Sequence, residues 1–260
     1  MIDTVMLAKL SANQEIDAYT VLREYVQVRF LDQLFRQAPP QSLYFKGGTA
    51  LRLLFGSERF SEDLDFTALN ERFAVAELVS RAAHGMRAEF PDLTVRELKT
   101  ITGYSARITL PGPSAHHPLT IKIDVSMRES VIDPQTSPIQ TPLPVSAIPL
   151  VEHLSKPEIL AEKIRALTNR RKGRDLYDFW YLLHTGTVVS KDGIEQKLAY
   201  YHESFDADVL HKAISSWKEK ELYNDIAKFL PRSKRRIIAQ LPRLLIALMR
   251  TSPMLSDFSS

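Results

Sequence analysis

The spacing of apolar residues changes along the chain. Short runs at positions 43–45, 64–66, 93–98, 104–110 and 119–125 have the composition and alternation of β-strands. Helical periodicity occurs at 49–55 and 70–88. Ser11 and Gln14 have the spacing of a capping box, which predicts a helix from there to position 37. The first part of the chain is therefore predicted to mix helices and strands.

The second part of the chain contains only helical patterns. Ser155 and Glu158 form another capping box, with Pro157 in the first turn, where proline is tolerated. This helix extends to position 168, and further helical stretches follow at 175–184, 191–203, 206–218, 220–229 and 233–250. The patterns together predict an α+β protein, with a mixed sheet in an N-terminal domain over 1–149 and a helical bundle over 150–260.

The composition excludes several kinds of chemistry. The 260 residues contain no cysteine, which excludes disulfide bonds, zinc sites built from thiolates and cysteine nucleophiles. No apolar run reaches the roughly 20 residues that span a bilayer. The first residues include Asp3 and lack the basic start and apolar middle of a signal peptide. We expect a cytoplasmic monomer that does not interact with membranes.

The net charge of +3 is distributed unevenly. Residues 1–145 contain 15 Lys and Arg against 17 Asp and Glu, whereas residues 146–260 contain 19 against 14. A proline-rich stretch over 134–149 separates the two parts. Between positions 163 and 174 there are six basic residues and no acid, here called the basic strip: Lys163, Arg165, Arg170, Arg171, Lys172 and Arg174. Such a strip is suited to a triphosphate or an RNA backbone, although solvated surfaces often carry similar clusters.

A glycine turn and two carboxylates are the main chemical signal. Gly47, Gly48 and Thr49 follow a predicted strand and open a predicted helix, where free backbone N–H groups favour an anion. Asp63 and Asp65 alternate along the next predicted strand, so both carboxylates are expected on one face. Oxygen ligands of this kind suit a pair of Mg²⁺ ions. The pattern predicts a site that moves a nucleotidyl group from a triphosphate.

Asp124 is a candidate third carboxylate. It lies in the alternating strand at 119–125, on the face opposite Ile121 and Ile123. At that position it would complete the metal site and accept the proton of an attacking hydroxyl. The alternative is that Asp124 has only a structural role, as a turn-forming residue at the end of a strand.

Three separated motifs resemble a known family. The runs KGGTALRLLFGSERFSEDLDF, IKIDVS, and EILAEKIRAL followed by RRKGRDLYDFWYLL are similar to the AbiEii/AbiGii nucleotidyltransferase toxins of bacterial type IV toxin–antitoxin systems. Those toxins belong to the polymerase-beta-like nucleotidyltransferase superfamily. The resemblance covers positions 45–183 and implies a polymerase-beta-like fold for the N-terminal domain.

The resemblance also assigns roles to individual residues. It implies that Gly48 and Thr49 form the nucleotide turn, that Asp63 and Asp65 bind metal, and that Lys163 contacts the incoming nucleotide. It matches Asp175 to the acid of the downstream motif, although the alternative from the residues is a plain helix N-cap. Lys46, beside the glycine turn, and Arg59, in the loop before the next predicted strand, are two further candidates for phosphate contact. Lys46 has the alternative of pairing with an acid at the edge of the core, and Arg59 that of a surface residue of the loop.

The activity implied by the resemblance is Mg²⁺-dependent transfer of a nucleotide from an NTP onto RNA, with the tRNA 3′ end as the acceptor. The basic strip is the candidate RNA contact. A toxin also implies a cognate antitoxin, either a neutralising protein or a kinase. Ser61 lies two residues before Asp63, so its phosphorylation would add negative charge to the metal site.

Two other functions remain open from the sequence. One is a non-catalytic module that binds RNA or a partner protein on a nucleotidyltransferase fold with idle carboxylates. The other is a phosphatase of the haloacid-dehalogenase type, because residues 63–67 also match D-x-D-x-T. The polar segment before Asp63 disfavours the phosphatase, whose motif follows a long apolar strand.

Overall fold

The backbone divides into two units, the first ending at Leu154 and the second beginning at Ser155. The computed structural model describes residues 2–69, 71–112, 117–188 and 190–251. In these ranges all the strands lie in the first unit, whereas the second is built from helices. The division lies slightly C-terminal to the boundary predicted between positions 149 and 150.

One mixed sheet organises the first unit. Its strands are β1 (Leu43–Lys46), β2 (Leu64–Ala68), β3 (Thr94–Glu97), β4 (Tyr104–Leu110), β5 (Leu119–Ser126), β6 (Pro134–Pro138) and β7 (Leu150–Leu154). Their spatial order is β3-β4-β5-β2-β1-β7-β6. The pairs β2–β5 and β1–β7 are parallel, and the other pairs are antiparallel. The predicted mixed sheet is confirmed.

Four helices accompany the sheet in the described part of the first unit. They are α1 (Thr4–Asn13), α2 (Ala18–Phe35), α3 (Gly47–Phe55) and α4 (Arg72–Met86). The long helix α2 packs against α4 and against strands β5 and β7. Its apolar residues, among them Val21, Phe30 and Leu31, are completely buried, so α2 supplies much of the core.

The prediction of a single helix from position 11 to 37 is wrong. Ser11 lies inside α1, and its hydroxyl donates a hydrogen bond of 2.5 Å to the carbonyl oxygen of Ile16. The chain turns at Glu15, which has a positive φ of 52°. The second helix then begins after Asp17, whose carboxylate accepts the N–H of Thr20 at 2.9 Å. The observed N-cap is thus Asp17, a residue type that is as effective as serine at this position.

The proline-rich stretch contains part of the sheet, which the sequence patterns did not predict. Strand β6 begins at Pro134 and ends at Pro138, and it lies at the edge of the sheet. Proline has no N–H to donate, and only an edge strand tolerates that loss. Strand β7 then returns next to β1, with Phe45 opposite His153. The core of the first unit therefore depends on residues beyond the prolines.

The described part of the second unit contains six α-helices and two 3-10 segments. The helices are α5 (Lys156–Asn169), α6 (Gly173–His184), α7 (Lys191–Ala199), α8 (Ala207–Ser215), α9 (Glu219–Ile226) and α10 (Leu241–Thr251), and the 3-10 segments are Ala227–Phe229 and Arg232–Gln240. Ser155 caps α5 as predicted, since its Oγ accepts the N–H of Glu158 at 3.4 Å. The arrangement of these helices as a bundle stays a prediction. Across the described residues, no helix has both the length and the apolar character needed to cross a membrane.

Candidate active site

Four polar residues form a row across adjacent strands of the sheet. Lys46 on β1 lies opposite Asp65 on β2, Asp65 lies opposite Asp124 on β5, and Asp124 lies opposite Ser105 on β4. Residues that are in register on neighbouring strands project from the same face of a sheet. We call these four residues the polar row.

The other face of the same strands explains this orientation. Phe45, Leu64, Phe66 and Ile123 are completely buried, and they alternate with members of the polar row along β1, β2 and β5. Because burial of such side chains is worth roughly 1.5–3 kcal/mol each, the apolar set fixes which face points to the core. The carboxylates are thereby held on the opposite face.

Asp124 keeps access to solvent within the polar row. Its Oδ1 accepts a hydrogen bond of 2.7 Å from the Ser105 hydroxyl, and its Oδ2 lies 2.7 Å from the ammonium of Lys122. The side chain is nevertheless 37% exposed. An oriented carboxylate that a substrate can reach has the geometry required of a general base.

The glycine turn lies directly against this row. Helix α3 begins at Gly47, which has a positive φ of 78°. A Cβ atom on Gly47 would overlap Oδ2 of Asp65, and one on Gly48 would overlap the guanidinium of Arg59. The same added atom on Gly48 would lie 3.2 Å from Oγ of Ser61. The two glycines are therefore required for Asp65 and Arg59 to approach the start of α3.

Other predicted residues of the turn are engaged within the protein. Thr49 is 1% exposed, and its hydroxyl donates to the carbonyl oxygen of Asp63 at 2.5 Å. Arg59 is also 1% exposed, and it donates to the carbonyl oxygen of Phe60 at 2.8 Å. Ser61 is half-buried. Thr49 and Arg59 thus fix the loop before β2, and their contact with a nucleotide stays a prediction.

Lys46 pairs with a buried acid that sequence reasoning missed. Its ammonium contacts Oε1 of Glu129, which also accepts a hydrogen bond of 3.2 Å from the hydroxyl of Thr67. Lys46 is 9% exposed and Glu129 is 3% exposed. The alternative interpretation of Lys46, an ion pair at the edge of the core, describes this contact.

The carboxylates of the polar row are chemically suited to Mg²⁺. Asp65 and Asp124 are in register on adjacent parallel strands, which are roughly 4.8 Å apart, and Asp63 immediately precedes β2. Among the described residues, no group of three or more His, Asp or Glu forms a complete metal site. Protein-bound Mg²⁺ typically has one or two carboxylate ligands and takes the others from phosphates and water. The donor set therefore fits a cation that arrives with a triphosphate.

The second unit contains a buried charge cluster around Lys163. The ammonium of Lys163 lies 2.9 Å from Oδ1 of Asp175 and 2.7 Å from Oδ2 of Asp178. Arg170 donates to both oxygens of Asp175, at 2.8 and 3.0 Å. Both aspartates are completely buried. We call these four residues the lysine cluster.

Asp175 is held in its charged form by this cluster. Burial by itself raises the pKa of its carboxyl group, but Lys163 and Arg170 outweigh burial and hold that pKa well below its usual range. Asp175 lies within α6, which begins at Gly173, so it is not the N-cap residue. Both oxygens of its carboxylate accept hydrogen bonds within the protein, from Lys163 and Arg170.

Two arginines of the basic strip form ion pairs with acids that come later in the chain. Arg165 donates to Oε1 of Glu203, with the shorter contact at 3.0 Å. Arg171 makes a paired contact with the two carboxylate oxygens of Glu221, each at 2.7 Å. The partner acids are 38 and 50 residues away in sequence, so a local count of charges could not reveal them.

The remaining two residues of the basic strip differ in exposure. Lys172 is exposed, whereas Arg174 is half-buried. At least four of the six basic residues, the two arginines above and both cations of the lysine cluster, pair with acids of the second unit. RNA binding by the strip stays a prediction.

The predicted site residues thus lie in two groups, one in each unit. The structure brings Lys46, Asp65 and Asp124 together in the first unit, and Lys163 and Asp175 together in the second. Sequence reasoning missed Ser105, Glu129 and Asp178. Asp178 alone carried a signal, because it follows Asp175 by three residues and so shares its helix face.

A helix that starts at glycines beside in-register carboxylates is the arrangement expected of proteins that bind a nucleoside triphosphate. Comparison with known proteins identifies the family. Residues 29–246 match the family model described as the nucleotidyl transferase AbiEii toxin of a type IV toxin–antitoxin system. The chain belongs to this family, which confirms the resemblance, and membership implies a cognate antitoxin as partner.

Solved structures show the same fold at low sequence identity. MenT4, a nucleotidyltransferase toxin from Mycobacterium tuberculosis, has 16% identity and a TM-score of 0.67, with 99% of this chain and 93% of MenT4 covered. JHP933 from Helicobacter pylori has 17% identity and a TM-score of 0.55, with 94% of each chain covered. No curated protein matches the sequence.

Proposed function

We propose that this nucleotidyltransferase toxin transfers a nucleotide from an NTP onto the 3′ end of an RNA, with tRNA as the acceptor, in a Mg²⁺-dependent reaction. The observation that carries the proposal is the register of Asp65 and Asp124 beside the glycine start of α3. The similarity to MenT4, which is a nucleotidyltransferase toxin, supports the same reaction class.

In the proposed reaction, the oxygen of the RNA 3′ hydroxyl attacks the α-phosphorus of the NTP. The bond from that phosphorus to the bridging oxygen breaks, and pyrophosphate leaves. Bound Mg²⁺ would neutralise charge on the triphosphate. The N–H groups at the start of α3 would bind phosphate oxygens, and Asp65 would orient the cation.

Asp124 is the proposed acceptor of the hydroxyl proton. The choice between Asp124 and Asp175 follows from their surroundings. Asp124 is 37% exposed and oriented by Ser105, whereas Asp175 is completely buried between Lys163 and Arg170. A general base must reach the proton that it removes, and that requirement favours Asp124.

The proposed partners are tRNA and an antitoxin. Lys172 is exposed and is the proposed RNA contact of the basic strip. Ser61 is half-buried beside Gly48, so phosphorylation by a kinase antitoxin would add charge next to the glycine turn. Ser61→Asp is expected to reduce transfer, and unchanged transfer in this variant would count against this mode of regulation.

The function is tested by incubating the protein with total tRNA, Mg²⁺ and each of the four labelled NTPs. We expect label on RNA with at least one NTP, and we expect Asp65→Asn to abolish it. The control Asp92→Asn makes the same change at an exposed position outside the polar row and is expected to retain transfer. Absence of label with all four NTPs would contradict the proposal. Thermal stabilisation by NTP and Mg²⁺ without transfer would instead favour a non-catalytic binding module.

A further inference from the structure

The buried pair of Lys46 and Glu129 lies next to the carboxylates of the polar row. Lys46 is the register partner of Asp65, and Thr67 follows Asp65 by two residues on the same face of β2. Glu129 contacts Lys46 and accepts from Thr67, so it is bound to the residues on both sides of Asp65. The position of Glu129 therefore affects the electrostatics around Asp65.

The charge of Lys46 opposes cation binding at this place. Register partners on antiparallel strands have Cβ atoms roughly 4.5–5.5 Å apart. An ammonium carried by the register partner of Asp65 repels a divalent cation bound at that carboxylate, and it does so more strongly where water is scarce. The carboxylate of Glu129 cancels that charge, and the pair of Lys46 and Glu129 adds no net charge to the site.

We propose that Glu129 is a positioning residue that sets the cation affinity of the polar row, because it holds the ammonium of Lys46 and neutralises its charge. The inference rests on the proposed function, in which Asp65 and Asp124 bind the metal of an NTP. It assigns Lys46 an electrostatic role within the protein and gives Glu129, which lies outside the predicted motifs, a part in the reaction.

Two substitutions separate the charge of Glu129 from its structural contacts. Glu129→Gln removes the negative charge, while the amide oxygen can still accept the hydrogen bond from Thr67. In the double variant Lys46→Met with Glu129→Gln, both charges of the pair are removed. Replacing both members of a buried ion pair is often neutral for stability, so this variant is expected to fold.

The experiment measures binding of Mn²⁺ together with a non-hydrolysable NTP analogue, which supplies the phosphate ligands, from the electron paramagnetic resonance signal of Mn²⁺. Wild type is expected to bind Mn²⁺ in a manner that Asp65→Asn abolishes. Glu129→Gln is expected to weaken binding by about tenfold or more, and the double variant is expected to restore the wild-type affinity. The matched control is Glu24→Gln, which removes a buried carboxylate paired with Arg52 outside the polar row and should bind Mn²⁺ normally.

Each outcome decides the inference. Unchanged affinity in Glu129→Gln overturns it and leaves the proposed metal site intact. Weak binding in both Glu129→Gln and the double variant also overturns it, because the effect would then be structural. If Glu129→Gln fails to fold, the double variant decides the inference by itself. A Mn²⁺ affinity equal to or above that of wild type supports the inference, and a lower affinity overturns it. Wild type without any Asp65-dependent binding overturns the proposed metal site itself.

Discussion

The polar row and the lysine cluster each pair lysine with aspartate or glutamate, but they place an aspartate in opposite surroundings. In the polar row, Asp124 is half-exposed and held by a hydroxyl and one surface lysine. In the lysine cluster, Asp175 is completely buried, and both of its oxygens are bound by cations. Asp124 is accessible to a substrate, whereas Asp175 is enclosed by counter-ions, and the catalytic roles of both residues stay predictions.

The largest expected effect distinguishes the two sites by activity. Asp124→Asn removes the proposed base, and we expect transfer to fall roughly 10²–10⁴-fold. Its melting temperature should stay close to that of wild type, since the side chain is partly exposed. Single-turnover transfer and thermal unfolding measure the two quantities. Full activity in this variant would show that the exposed carboxylate is not the base.

Asp175→Asn should have its main effect on stability. The substitution removes the negative charge that Lys163 and Arg170 share. Breaking a buried ion pair in this way typically lowers the free energy of unfolding by about 3–5 kcal/mol. Because the folded state depresses the pKa of Asp175, its stabilising contribution is complete above the ordinary aspartate pKa of about 3.9 and is lost as the pH falls below that value.

Urea unfolding at a series of pH values measures this pH dependence of the contribution of Asp175 to stability. The difference in unfolding free energy between wild type and Asp175→Asn should be largest near neutral pH and should shrink in acid. A difference that stays constant down to the acid limit of folding would contradict the assigned pKa shift.

A smaller effect is expected at the glycine turn. Gly47→Ala forces an alanine to a positive φ, which costs about 1–2 kcal/mol, and it also displaces Asp65. Gly186 is the matched control, since it has a similar φ of 74° and an added Cβ would meet nothing within 4 Å. Gly47→Ala should lose at least as much stability as Gly186→Ala, but only Gly47→Ala should also lose transfer activity. Equal activities would show that Asp65 need not approach the turn.

The smallest effect concerns the basic strip. Lys172→Gln should reduce the salt dependence of tRNA binding by about one counterion, a slope change of roughly 0.7–0.9. Arg171→Gln should change the slope less, because its charge is already balanced by Glu221. Binding isotherms for tRNA over a range of salt concentrations give the slopes of the two variants and of wild type. A larger change for Arg171 would mean that RNA displaces the internal acid.

The local motifs could be predicted from the sequence because they depend on interactions between residues that are close in sequence. The strand at 104–110 and the capping role of Ser155 follow from alternation and from one side-chain hydrogen bond. The glycine start of α3 follows from the same kind of pattern. In each case the residues that decide the structure lie within one turn or one strand.

The missed features depend on contacts between distant parts of the chain. Strand β6 is polar and bounded by prolines, so only its edge position makes it a strand. The role of Glu129 depends on its contacts with Lys46 on β1 and Thr67 on β2, which are distant from it in sequence. Arg171 pairs with Glu221, which is 50 residues away, so the charge pattern near Arg171 does not reveal the pair. Sequence patterns predict which residues are charged, but not which charges cancel.

The insertion of β7 beside β1 has a consequence for the synthesis of the protein. Until residues 150–154 have left the ribosome, the strand that carries Lys46 has one open edge, and β6 lacks its hydrogen-bonding partner. A gene truncated within the proline-rich stretch would therefore not encode a smaller toxin. It would encode a sheet without one of its inner strands, and the nascent toxin acquires its complete sheet only after the last of these prolines has been added.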